Sequence, residues 1–308
     1  MKKSLLALAV LGAFAGAASA QSSVTLYGRV DLSLAKNIGS DAKGVQNGSG
    51  SRLGFRGVED LGGGMKAIFN IEHRFNADTG VLTNAAKFWQ GRSIVGLEGG
   101  FGRVWLGREY SPGFLKGWLI SDPWGYDTVA QLSSNTGAIG NVRRDDTVNY
   151  QFEANGFGIW GQIAEAETNG RGPDRPVGVA LWYGAGPLYI SYGYENPSNA
   201  DDVWHHLTVN YDFGMAKIVT GFGTGTSAVD NTHRNMNISL VAPVGGGEFR
   251  IGYGSLKNTT ADVTVSSKIG VGYHYSLSKR TTVYADFARD SKAVGPKTGY
   301  DFGIKHNF

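Results

Sequence analysis

Seven charged side chains stand in mid-segment where neighbouring residues alternate between apolar and polar: Arg29, Arg56, Lys66, Glu72, Arg74, Arg92 and Arg250. Each keeps step with polar neighbours. A row of guanidinium groups facing carboxylates can act without making or breaking a bond. It sets a field across water, orients dipolar solutes and sorts them by charge. The carboxylates that could face such a row lie in the stretch SPGFLKGWLISDPWGYDTVAQLSSNTGAIGNVRRD, residues 111–145. It carries Asp122 and Asp127, with Asp145 and Asp146 at its exit.

Bond-making chemistry has little to work with. There is no Gly-x-Ser-x-Gly elbow and no Ser, His and acid grouping that could converge, so no catalytic residue is assigned. The chain has no cysteine, which removes thiol nucleophiles, thiolate metal sites and disulfide scaffolds. Six histidines are scattered. His205 and His206 are adjacent in an extended segment, so they point to opposite faces and do not form a metal pair. The loop acids lack EF-hand spacing. No metal and no cofactor is expected.

The elements that must position these charges have a period of two. VTLYGRVDLSL (24–34) sets Val24, Leu26, Val30, Leu32 and Leu34 against Thr25, Tyr27, Arg29, Asp31 and Ser33. MKAIFNIEHRF (65–75), TVNYQFE (147–153), HLTVNYDF (206–213) and KIGVGYHYSL (268–277) repeat the pattern. Successive strand side chains point to opposite sides, so each segment has one apolar and one polar face. Short turns (59–65, 98–102, 184–187, 212–215, 244–248, 277–280) alternate with longer polar stretches (36–50, 76–87, 111–145, 165–175, 196–201, 225–232, 258–263, 291–298). This is the layout of an outer-membrane barrel. Sixteen strands are expected, at 24–35, 50–58, 64–75, 88–98, 101–109, 146–153, 156–164, 176–184, 187–195, 202–213, 216–224, 233–242, 247–257, 264–277, 280–290 and 299–308.

The competing fold is a soluble β-sandwich, which also alternates. Strands of about 9–12 residues favour a tilted membrane crossing. Aromatic residues gather at strand ends, as interfacial girdles would: Tyr27, Phe75, Trp160, Tyr183, Tyr194, Phe213, Tyr253, Tyr275, Phe287 and Phe308. A water-filled lumen accepts mid-strand charges that a packed core would not. The reading is all-β: a 16-stranded antiparallel transmembrane barrel.

Composition agrees. There are 47 glycines, with Tyr and Phe abundant and no repeat period, which suits many strands and tight turns. The formal net charge is +3, and two of the 29 basic residues sit in the leader, so nothing points to nucleic acid. MKKSLLALAVLGAFAGAASA has a basic start, a short apolar run and an Ala-x-Ala end, the pattern of a signal peptide cleaved after Ala20. Residues 21–308 are then the barrel. The last segment, GYDFGIKHNF (299–308), has one apolar and one polar face. It is expected to pair with the first strand and remove the exposed sheet edges.

SRLGFRGVEDLGGGMKAIFNIE (51–72), SIVGLEGGFGRVWLGREYSP (93–112), DDTVNYQFEANGFG (145–158) and YDFGIKHNF (300–308) together resemble the general porins of β-proteobacteria, the neisserial type. The similarity spans the mature chain. The resemblance implies a homotrimer of barrels in the Gram-negative outer membrane, among lipid and lipopolysaccharide. Each barrel would be a pore for passive diffusion of ions and small hydrophilic solutes. The resemblance also implies that the third external loop folds inward, that basic residues on the wall face it, and that the bare C-terminal Phe is read by the outer-membrane assembly machinery.

By lumen phase the wall candidates are Arg29, Arg56, Arg74, Arg92 and Arg108, facing Asp122 and Asp127. Lys66, Glu72 and Arg143 are further lumen candidates. Arg108 shares parity with Val104 and Leu106, so it points inward only if the strand bulges near Gly107. Arg143-Arg144 and Asp145-Asp146 suggest local pairing at the loop's return. Trp118 and Trp124 are read as packing against the wall. If the arginines dominate, the pore prefers anions; if the loop aspartates dominate, cations. Alternatives are a channel selective for anions, dicarboxylates or sugars, a barrel enzyme, or an adhesin. Tyr27, Trp160 and Trp182 could line a wall, but no aromatic run marks a sugar slide.

Overall fold

The computed structural model describes residues 22–132, 140–165, 175–197, 202–227 and 231–308. The leader, with its cleavage point near Ala20, lies outside the described residues, as do parts of the stretches at 111–145, 165–175, 196–201 and 225–232. The strands are β1 (Ser23–Lys36), β2 (Lys43–Asn47), β3 (Arg52–Gly62), β4 (Met65–Arg74), β5 (Arg92–Gly99), β6 (Gly102–Tyr110), β7 (Arg143–Ala154), β8 (Phe157–Ala164), β9 (Val177–Ala185), β10 (Leu188–Asn196), β11 (Val203–Asp212), β12 (Lys217–Thr226), β13 (Thr232–Val244), β14 (Gly247–Asn258), β15 (Val263–Ser276), β16 (Thr281–Asp290) and β17 (Thr298–Asn307). No helix among the described residues is long and apolar enough to cross a membrane.

All neighbours pair antiparallel, and the sheet closes on itself. β1 pairs with β17 from Arg29↔Asn307 to Lys36↔Tyr300. Phe308 completes the seam by exchanging backbone hydrogen bonds with Gly28 at 3.0 and 3.1 Å. Glycine is needed at 28, because a Cβ there would stand 2.3 Å from the Phe308 ring. β2 and β3 both pair with β1, end to end, so they occupy one place in the ring and the wall has sixteen positions.

β2 corrects the expected loop over 36–50. KGVQN is polar and carries no apolar rhythm, so pattern alone assigns it to the loop. Pairing with the long first strand extends it instead. The break between β2 and β3 follows Gly48, whose N–H reaches the Asp31 carbonyl at 2.9 Å. The remaining strands fall within a few residues of their expected positions.

The barrel is inside out relative to a soluble protein. Val24, Leu26, Val95, Leu97, Leu106, Ile238, Ile269 and Ile304 are exposed on the outer face, while Asp31, Glu72, Asn149, Gln162, Thr208, Asn210, Asn237, Asp286 and Asp301 are buried. Lipid solvates the first group; lumen water and paired polar groups take the second. Phe157, Phe213, Tyr211 and Tyr275 are exposed near the short turns, where an interfacial girdle belongs. Two expected girdle members are corrected. The Tyr27 hydroxyl donates to Asn70 at 2.8 Å on the lumen side. Trp160 is buried and its Nε1 donates to Asn149 at 3.0 Å.

Candidate pore constriction

β6 ends at Tyr110 and β7 begins at Arg143. The chain between them, described at 111–132 and 140–142, contacts the wall from Gly113 to Gln131. It starts with a single π-helical turn, Phe114–Trp118. Trp118, Ala130 and Leu132 are fully buried, and Trp124 is nearly so. These side chains pack toward the wall, which gives both tryptophans the packing role read for them.

The loop backbone is held by wall side chains of lumen phase, taken in turn around the ring. Glu195 on β10 accepts the Gly113 N–H at 2.8 Å. Tyr189, also on β10, donates to the Lys116 carbonyl at 2.8 Å, and Thr208 on β11 to Gly117 at 3.2 Å. Asn210 reaches Ile120 at 2.9 Å and Asn237, on β13, reaches Ser121 at 2.5 Å. Arg250 on β14 donates to the Pro123 carbonyl at 2.7 Å. The Val129 N–H donates to Asp301 on β17 at 3.1 Å, and one side-chain contact joins these, Trp124 Nε1 donating to Asp286 on β16 at 2.8 Å. Lys268 on β15 takes the Gln131 carbonyl at 2.7 Å. An unmet backbone group would cost about 1–3 kcal/mol in a buried setting, so each contact fixes the loop's path. At its entry Glu195 also pairs with Arg144, and both side chains are almost wholly buried.

The opposite side of the lumen is basic. A cavity of about 730 Å³ lies between the loop and β1–β7. Arg29, Arg52, Arg56, Arg74, Arg92 and Arg143 line it, against two carboxylates, Glu72 and Asp127. Arg74 Nε donates to Glu72 at 2.9 Å. Arg92 Nε donates to the buried Glu109 at 2.7 Å. Arg29 Nη1 lies 3.5 Å from Asp127. Arg52 donates to the Gly50 carbonyl at 3.0 Å, and the Arg56 guanidinium sits 5.5 Å over the Tyr27 ring. Arg143 donates to the Tyr110 hydroxyl at 2.6 Å. Among the described residues Arg52, Arg56 and Arg143 have no carboxylate within 4.0 Å.

The loop offers little acid in return. Its cavity-facing residues are Phe114, Leu115, Leu119, Gly125, Tyr126, Asp127 and Val142. Asp122 lies elsewhere: it is buried and accepts the backbone N–H of Trp124 at 3.1 Å and of Leu132 at 2.9 Å. It staples the loop to itself. Burial pushes the Asp127 carboxyl up to about 6, against the pull of Arg29, Arg52 and Lys305. Burial also raises the Tyr126 hydroxyl.

Arg108 stands outside this group. The strand does bulge, between Gly107 and Glu109, with Gly107 at φ 118°. The irregularity leaves the phase of β6 unchanged: Glu109 stays inward with Trp105, and Arg108 keeps the parity of Val104 and Leu106, paired with Asp145 and with its Nε 2.8 Å from the Gln90 carbonyl. Lys87 shares that carboxylate. Lys66 is exposed, beside Asp60 and Glu98 near the short turn after β3, and is not part of the cavity. Arg52 was not among the sequence candidates. It is in step with Arg56, four residues on, so the two-residue period could have found it.

A family profile described as Gram-negative porin matches residues 7–293. The chain is 35% identical to outer membrane porin protein 32 of Delftia acidovorans, with both chains covered in full. It is 29% identical to the major outer membrane protein P.IB of Neisseria meningitidis serogroup A, again with both covered in full. Among solved structures, an anion-selective porin from Comamonas acidovorans superposes with a TM-score of 0.81 at 28% identity, covering 94% of this chain and 100% of that one. OmpT of Vibrio cholerae in its trimer form gives 0.75 at 15% identity, covering 93% of this chain and 99% of that one.

Proposed function

We propose that the pore of this chain, which belongs to the Gram-negative porin family, favours small anions. The protein is a multi-pass β-barrel of the Gram-negative outer membrane and works as a general diffusion porin. Its solutes cross passively, through water. The preference for anions rests on one observation, the six arginines and two carboxylates around the cavity between loop and wall. Low-dielectric walls focus such a field and raise the local concentration of counter-ions. The described loop residues across the cavity are largely apolar, and Asp127 is the one acid among them, so they offset only a small part of the field. The solved relative described as anion-selective supports the same reading.

In this reading the segment 111–145 narrows the pore, with Arg29, Arg52, Arg56, Arg74, Arg92 and Arg143 as the attracting wall and Asp127 as the acid that tempers it. The leader is removed after Ala20, the barrel assembles as a homotrimer in contact with lipid and lipopolysaccharide, and the strand at 299–308 addresses the assembly machinery. The test is the reversal potential of the refolded protein in a planar bilayer under a KCl gradient. An anion-signed potential, with conductance lost in steps of three, is the expected result. A cation-signed potential overturns the arginine reading. Single-step closure overturns the trimer.

A further inference from the structure

We propose that the hydroxyl proton of Tyr110 is donated to the anion as it passes the arginine wall, which makes Tyr110 a specificity-determining residue of the pore. The proposal rests on the anion-favouring reading above and refines it.

Tyr110 is the last residue of β6, where the strand hands over to the loop. Its hydroxyl oxygen receives two hydrogen bonds, from Arg74 Nη2 and from Arg143 Nη2, each at 2.6 Å. A phenol offers acceptor lone pairs and one proton, and a guanidinium can only donate. Both arginines therefore use the oxygen, and neither can take the proton. Among the described residues that hydroxyl accepts both bonds and donates none.

The ring cannot swing away to find an acceptor. Phe114 stacks on it with centroids 5.5 Å apart at 10°. The Arg143 and Arg92 guanidinium groups lie 4.1 and 5.0 Å from its centroid. The side chain is buried, yet it lines the 730 Å³ cavity. What remains for the proton is whatever occupies the cavity: water in the idle pore, an anion in transit.

Two cationic donors on the oxygen also draw charge from it, which strengthens the O–H as a donor. The guanidiniums attract any anion by charge. The hydroxyl adds a term that depends on basicity. It favours anions with strongly accepting oxygens, such as carboxylates and phosphates, over equally charged poor acceptors.

The experiment compares formate and nitrate, planar monovalent anions of similar size and different acceptor strength, under bi-ionic potassium gradients in a planar bilayer. The wild-type pore is expected to favour formate. In Tyr110→Phe the formate-to-nitrate permeability ratio should fall about threefold, the scale of one modest hydrogen bond, whatever shift in KCl reversal potential follows from freeing Arg74 and Arg143. Tyr110→His, whose ring can still donate a hydrogen bond, should recover part of the ratio. An unchanged ratio in Tyr110→Phe overturns the proposal. That includes nitrate permeability falling as much as formate, since the hydroxyl would then only brace the arginines. Equal permeation of the two ions in the wild type overturns it without any variant. A cation-signed KCl potential in the wild type is a separate failure, of the anion reading itself.

Discussion

The two halves of the lumen use polar side chains in opposite ways. Along β10–β17 nearly every inward group named above is spent on the loop: Tyr189, Thr208, Asn210, Asn237, Arg250 and Lys268 donate to its carbonyls, and Asp286 and Asp301 accept from it. Along β1–β7 the arginines line the cavity, and among the described residues three of them have no carboxylate within 4.0 Å. One half holds and the other half attracts. The holding groups are mostly neutral or consumed, so they contribute little field. A charge committed to structure is no longer available to a solute, and this division lets a nearly neutral chain carry a strongly basic passage.

The comparison can be broken hardest at Glu195. Glu195→Gln removes a carboxylate partner of buried Arg144, which keeps its bonds to Gln162 and the Asn196 carbonyl, and weakens the anchor on Gly113 N–H. Loss of a buried ion-pair partner costs about 3–5 kcal/mol. The expected result is a clear drop in the heat or denaturant midpoint of the folded barrel, read by electrophoretic mobility, with the sign of ion selectivity kept. On the attracting side the order reverses. Arg52→Gln with Arg56→Gln should leave the midpoint within about 1 kcal/mol, as changes away from packed sites do. It should move the KCl reversal potential toward cations, with the permeability ratio falling severalfold.

Asp127 links the halves, and acid sharpens the contrast. Its carboxyl is raised to about 6, so it is ionised above that pH and neutral below it. Protonation removes the one loop charge that offsets the arginines. Anion preference should therefore rise as pH falls from 7.5 to 5, by about twofold for one screened charge. Asp127→Asn should show the acid-side value at both pH values. A preference that falls on acidification would reverse the assigned sign.

The wall was legible in the sequence because its code is local. Alternation in VTLYGRVDLSL or MKAIFNIEHRF is enough to sort lumen from lipid, and Arg29, Arg74 and Arg92 lie where that rule sets them. It failed where the period breaks. KGVQN has no apolar face to count, so β2 was read as loop. At Arg108 parity alone was right: the strand irregularity at Gly107 does not reverse the phase, and the inward position goes to Glu109, in step with Trp105. The loop was least legible. Asp122 and Asp127 look equivalent in SDPWGYD, yet one is consumed by backbone N–H groups of Trp124 and Leu132 and the other meets Arg29. Nothing periodic distinguishes them.

The loop is made before the wall that seats it. Its partners lie 116 residues downstream for Ser121 with Asn237, 162 for Trp124 with Asp286 and 172 for Val129 with Asp301. Contacts so remote in sequence form late, because a long chain must first be closed. The seam is more remote still, 278 residues between Arg29 and Asn307. Ring and loop therefore share one dependence: neither is complete until the last strands of the chain have arrived.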